Sequence, residues 1–191
     1  MFFPSLFGVT DSGKSGHLTP ADAHVLIASQ TVGAGGAASV TFSSIPQGYR
    51  ALELRIMARS TYAATSGVSV SVAFNGIGGT SYSYHFLSGD GAGASSGSGT
   101  SQPAIPIGYV SGASATTGIF GVAIAQILDY ASTSKYKTVR SLMGSDTNGA
   151  GGAGMFSGLY MDTTAISSLV LTSGGSASFA QYGRFDLYGI L

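Results

Sequence analysis

The segment Ser81–Gly99, SYSYHFLSGDGAGASSGSG, holds the most suggestive nucleophile in the chain. Gly93-Ala94-Ser95-Ser96-Gly97 matches the G-x-S-x-G motif of serine hydrolases, with His85 and Asp90 a few residues upstream. A nucleophile elbow needs a buried strand, a sharp turn and then a helix that lifts the serine beside backbone oxyanion donors. The residues after Ser95 are Ser-Gly-Ser-Gly-Thr-Ser-Gln-Pro, which cannot begin a stable helix. Nothing in the spacing orients His85 or Asp90 toward Ser95. In so Gly- and Ser-rich a stretch the match is what chance delivers, and no nucleophilic role is expected for Ser95.

Other chemistries fare no better. His17 and His24, with Asp11 and Asp22, are the only histidine–carboxylate grouping near a metal-ligand composition, but their spacing is irregular. Asp146-Thr147-Asn148-Gly149 resembles the front of a calcium loop without its closing acid, so it reads as a turn. Glycoside hydrolysis wants two carboxylates across a sugar site. Glu53 is the sole glutamate and alternates with Arg55, which points to a cross-strand salt bridge. The stretch GSGTSQ lacks the lysine of a phosphate-binding loop. With no cysteine, thiol catalysis and thiolate metal sites are excluded. The expectation is a protein that is not an enzyme and uses no cofactor or metal.

The composition narrows the partners. Eight basic and eight acidic residues cancel to a formal net charge of zero, and charged residues make up 8% of the chain, far below the usual quarter or so. There is no field to hold a polyanion, so nucleic acid is not an expected partner. So few charges also leave little to keep molecules apart, which suits a surface of Ser, Thr and Gly or one buried in an oligomer or particle. The opening MFFPSLFGV is apolar but short, has no basic flank and contains a proline, unlike a signal peptide. No apolar run approaches a membrane span, so membrane insertion is not expected.

The positioning elements follow a period of two. ALELRIMARS places Leu52, Leu54, Ile56 and Ala58 on one face and Glu53, Arg55, Met57 and Arg59 on the other. VSVSVAF repeats this with Val68, Val70, Val72 and Phe74, and Asn75-Gly76 supplies a turn. Further strands are expected at 25–29, 39–45 (with Val40 and Phe42 on one face), 81–87, 104–108, 119–128, 137–143, 155–161, 166–172 and 184–190. In 81–87, Tyr82, Tyr84 and Phe86 share a face opposite His85. IFGVAIAQIL at 119–128 is apolar or small on both faces, which predicts a central strand covered on both sides. Thr19-Pro20 could cap a short helix over Thr19–His24.

Short strands between Gly/Ser/Asn turns, with no helix-length amphipathic segment, predict an all-β fold: an antiparallel β-sandwich of jelly-roll type. An irregular arm, residues 1–23, precedes the sandwich domain, residues 24–191. The arm carries Phe2, Phe3 and Phe7, which would be sticky if exposed and are the candidate docking residues, on their own domain or on a neighbour. Two expected loops, 89–102 and 144–154, are the candidate recognition surfaces. They hold Asp90, Ser95, Ser98, Asp146 and Asn148, with Tyr130, Tyr136 and Tyr160 as nearby amphipathic contacts for a host surface glycan or protein.

The run VTFSSIPQGYRALELRIMARS, followed by FNGIGGTSYSYHFLSGDG, ILDYASTSKYKTVRSLMGSD and RFDLYGI, resembles a β-sandwich module of bacteriophage and prophage virion proteins. These are often described as tail-fibre or minor structural proteins, and the similarity spans roughly residues 24–191. The resemblance implies a virion component assembled in the host cytoplasm, with capsid or tail proteins as partners and a homo-oligomer such as a trimer. It transfers no binding residues. The chain has no fibrous shaft or repeat region, which favours a small attached component such as a capsid decoration (cement) protein. The alternative is a tail-fibre or receptor-binding module.

Overall fold

The computed structural model describes residues 23–64 and 66–191. The expected arm with Phe2, Phe3 and Phe7, the residues His17, Asp11 and Asp22, and nearly all of the short helix expected at Thr19–His24 lie outside them. His24 itself opens a strand.

Among the described residues twelve strands form two antiparallel sheets: β1 (His24–Thr31), β2 (Ser39–Phe42), β3 (Ala51–Ala58), β4 (Val68–Phe74), β5 (Tyr82–Gly89), β6 (Ala94–Gln102), β7 (Ile105–Val110), β8 (Gly121–Leu128), β9 (Lys137–Asp146), β10 (Gly151–Tyr160), β11 (Leu169–Ser173) and β12 (Arg184–Ile190). The large sheet runs β1-β12-β3-β8-β9-β10-β5-β6 and the small one β2-β11-β4-β7. No α-helix occurs among the described residues.

The alternation read from sequence sets the inner faces. Leu52, Leu54, Ile56 and Ala58 of β3 face Val68, Val70, Val72 and Phe74 of β4 across one continuous core, joined by Val40, Phe42, Ile105, Ile107 and Leu187. The sheets touch most closely where β7 crosses β8, β9 and β10. There the Ser141 hydroxyl donates to the Ile107 carbonyl at 2.7 Å, satisfying a polar group that burial would otherwise penalise.

Three expectations change. The segment 89–102 is not a long loop: β6 occupies most of it and pairs with β5, leaving Asp90–Gly93 as the turn. Its hydrophobic face was invisible because glycine supplies it. Tyr84 lies opposite Gly99 and Phe86 opposite Gly97, and a Cβ on those glycines would come within 2.6 Å of the Tyr84 ring and 2.7 Å of the Phe86 ring. The aromatic rings lie over glycine backbone and cover an edge strand that has no large side chain of its own. Phe86 is held there by Phe156, stacked at 5.5 Å, and Tyr109, edge-on at 6.3 Å. Gly97→Val is therefore expected to cost about 1–3 kcal/mol by overpacking, measured by urea unfolding, whereas Ser98→Val on the opposite face should change little.

The segment 144–154 likewise belongs to the β9–β10 hairpin, whose turn is only Thr147–Ala150. The third change concerns β8. It is central, yet covered on one side only: Val122, Ile124 and Leu128 are about half exposed on the outer face of the large sheet.

Candidate recognition site

The β5–β6 and β9–β10 hairpins are neighbours through the β5–β10 pairing, so their turns emerge side by side at one end of the large sheet. Each is closed by an aspartate. Asp90 Oδ1 accepts the Ala92 and Gly93 amides at 2.9 and 2.8 Å, and Asp146 Oδ1 accepts the Asn148 amide at 2.7 Å. These are Asx turns, in which a short side chain replaces a backbone acceptor. The Gly93 and Ala92 amides hold the exposed Asp90 carboxyl below its ordinary range. Asn148 adopts φ 58°, the left-handed region asparagine tolerates.

Both aspartates line a shallow cleft between the turns, floored by Gly144, Ser145, Gly151 and Gly152. A second hollow beside it is bounded by Ser66, Ser88, Ser95 and Tyr109. The arrangement offers two carboxylates, several hydroxyls and exposed backbone amides, which is hydrogen-bonding chemistry for a polyol or peptide. Among the described residues no group of three or more His, Cys, Asp or Glu side chains is placed to hold a metal ion.

Of the residues singled out in sequence, Asp90, Ser95, Asp146 and Asn148 lie at or beside this end. Ser95 pairs with Ser88, their hydroxyls 2.9 Å apart. His85 is opposite Ser98, on the other face of the same sheet, so Ser95, His85 and Asp90 do not converge as a triad. Ser98 sits exposed on that outer face beside His85.

Tyr130 and Tyr160 are removed from any contact surface: both are fully buried. The Tyr130 hydroxyl donates to the Pro46 carbonyl. Tyr160 stacks on Tyr82 at 5.1 Å and meets Phe74 at 5.4 Å, but its hydroxyl has no partner. Burial, with Asp162 and Tyr82 nearby, pushes this phenol up to about 12, against a smaller downward pull from the Asn75 side chain, which lies too poorly placed to satisfy the hydroxyl. Alongside it, buried Lys137 donates to the Asp162 and Thr164 carbonyls at 3.1 and 2.6 Å. Burial holds its ammonium below the usual range despite the Asp162 charge. All three belong to the core end opposite the turns.

Glu53 meets the expectation in part. It is buried, and its shortest ion pair, with Arg55 at 2.8 Å, lies along β3 itself; across strands it accepts from Gln126 of β8 at 2.9 Å and has His24 of β1 at 3.6 Å. Burial pushes the Glu53 carboxyl up, but the Gln126 and Arg55 hydrogen bonds outweigh it and the net shift is downward.

Sequence reasoning missed the most unusual surface. On the outer face of the large sheet, Leu87 (β5), Met155 (β10), Leu142 (β9) and Ile124 (β8) are directly paired in register, forming one apolar row across four strands. The signal was present in the outward positions of β8, which are apolar where a half-solvated strand is normally polar.

No family model, curated protein or solved structure matches this chain. Fold and surface together define a class only: an all-β domain of two antiparallel sheets with paired hairpin turns at one end and an apolar sheet face that the described residues leave exposed.

Proposed function

We propose that this chain is a non-enzymatic structural protein of a bacteriophage particle, a small attached β-sandwich such as a capsid decoration protein. The observation that supports this reading best is the apolar row on the outer face of the large sheet, in a chain with no net charge. A free-standing protein seldom leaves such a face to water, whereas a component of an assembly buries it. The sequence resemblance to virion modules points the same way. A jelly-roll winding is part of the proposal: the chain passes between the large and small sheets at each step from β1 to β5, as such a winding requires.

The test is to locate and count the protein in purified particles. Hundreds of copies per particle support decoration, a few dozen or fewer move it to the tail, and none removes the reading. Deleting residues 1–23 is expected to abolish incorporation if the three phenylalanines dock the domain; unchanged incorporation removes that role.

A second reading, a receptor-binding module for a host surface glycan or protein, is favoured by the cleft between the two Asx turns. Asp90→Ala combined with Asp146→Ala should then reduce binding of the isolated protein to host cells at least about tenfold while leaving particle incorporation intact. Unaltered cell binding argues for decoration alone.

A further inference from the structure

We propose that the outer face of the large sheet is a self-association surface, covered by the same face of a second copy of this chain. Both this inference and the particle reading draw on the same apolar face, and self-association of the purified chain, which needs no particle, separates the two.

The row Leu87–Met155–Leu142–Ile124 places four large apolar side chains in direct cross-strand register. Side chains so paired lie about 5 Å apart and touch, so they form one ridge rather than four scattered residues. Their exposures of 54, 56, 61 and 47% show that nothing within the described chain covers them. Met57 and Val122, paired with each other one row away, widen the ridge toward β3. The inner core cannot account for these residues, because alternation sends them away from it.

The size suits a copy of the chain. Six strands from β12 to β5, spaced about 4.8 Å apart and about 26 Å long, present about 750 Å², close to the roughly 800 Å² per partner of a standard interface. The charges also suit it. Two of the three arginines on this face are already neutralised by their own chain, Arg55 by Glu53 at 2.8 Å and Arg184 by Asp186 at 2.9 Å, so burial strands neither of these two carboxylates. Arg140 lies within the same face, in the polar row next to the apolar one, and donates to the Gln126 amide oxygen at 2.8 Å, so its guanidinium keeps a hydrogen-bond partner when the face is covered. With zero net charge, two copies meet without long-range repulsion. A face that meets itself needs no complementary patch elsewhere, which gives closed association rather than fibres.

The test uses the full chain and measures its mass by sedimentation and light scattering across a concentration series. The wild type is expected to associate. Leu142→Glu should raise the dissociation constant at least about thirtyfold, as loss of a buried hot-spot residue does. Tyr136→Glu, a control about half exposed in the segment just before β9, should not. Because Leu142 is exposed in the single chain, Leu142→Glu is expected to leave far-UV circular dichroism unchanged. A second variant is independent of that requirement. The chain has no cysteine, so Leu142→Cys offers one thiol, which should cross-link two copies under mild oxidation where Tyr136→Cys does not. A wild type that is monomeric at every concentration overturns the proposal. So does association that Leu142→Glu leaves intact, or a monomer whose face becomes accessible only on deletion of residues 1–22, which would assign the cover to the chain's own N-terminal segment.

Discussion

Gly158→Val is expected to destabilise the domain by more than about 3 kcal/mol, beyond the usual range for an overpacked core. Gly158 lies in β10 between Val139 of β9 and Tyr84 of β5, and its inner side faces β7 of the other sheet. A Cβ there would sit 2.3 Å from Ile105 Cγ2 and 2.9 Å from its Cδ1. Ile105 is itself fully buried, so it has no room to retreat. The sheets can separate only by breaking contact along β7, where their approach is closest. For a domain of this size a loss of about 3 kcal/mol lowers the melting temperature by roughly 6–12 °C. Urea and thermal unfolding measure it. A cycle with Ile105→Ala isolates the cause, because trimming Ile105 should make Gly158→Ala markedly less costly than it is alone. Additive losses would mean that the contact with Ile105 is not what the glycine protects.

The same glycine logic explains which parts of the fold were legible in the sequence. Strands β3, β4 and β12 announce themselves, because their inward residues are Leu, Ile, Val and Phe and their outward ones polar. Strand β6 does not. Ala-Ser-Ser-Gly-Ser-Gly-Thr-Ser-Gln has no apolar period, because Tyr84 and Phe86 of the neighbouring strand fill the space above Gly99 and Gly97. A strand whose hydrophobic face is lent by its partner is a property of the pair. The β9–β10 hairpin reads as a loop in the sequence for a related reason: Gly151, Gly152 and Gly154 hide the pairing of β10.

The candidate site was legible in part. Asp146 reads as a turn residue and Asp90 as part of a longer loop; both close Asx turns, and only the β5–β10 pairing brings the two turns together. Tyr130 and Tyr160 look like surface aromatics beside polar loops, yet each fills the core. For Tyr130 a single hydrogen bond to Pro46 makes burial tolerable, and for Tyr160 stacking on Tyr82 does. The outward apolar residues of β8 are legible in the sequence and imply burial on both faces, but the row they form with Leu142, Met155 and Leu87 is not, because it exists only in the strand register. The residues indeed ask for a cover, but the described part of the chain does not provide one.

Alkaline pH should expose the core phenols as the weak point of the domain. Burial pushes Tyr82, half-buried Tyr109, Tyr130 and Tyr160 all upward, Tyr160 to about 12. A phenol held above its unfolded value of about 10 binds its proton more tightly in the folded state. Its contribution is therefore complete below about pH 10 and lost as pH rises through its folded value, for Tyr160 between about 10 and about 12. Lys137 runs the other way, since its lowered folded value means the cost of burying its charge disappears as pH rises toward about 10.5. One lysine opposes four phenols, so stability is expected to fall steeply above pH 10, with phenolate absorbance appearing together with unfolding rather than before it. Tyr160 separates this from a general effect of charge. Its hydroxyl is buried without a partner, so Tyr160→Phe removes a desolvation penalty and should stabilise the protein by about 1 kcal/mol at neutral pH. It should also flatten the decline between pH 10 and 12. Tyr82→Phe should do the opposite at neutral pH, because the Tyr82 hydroxyl donates to the Ile77 carbonyl and accepts the Phe74 amide, both at 2.8 Å. Urea midpoints at pH 7 and pH 11 compare all three proteins. A Tyr160→Phe protein that loses stability in alkali as steeply as the wild type would show that this phenol does not govern the transition.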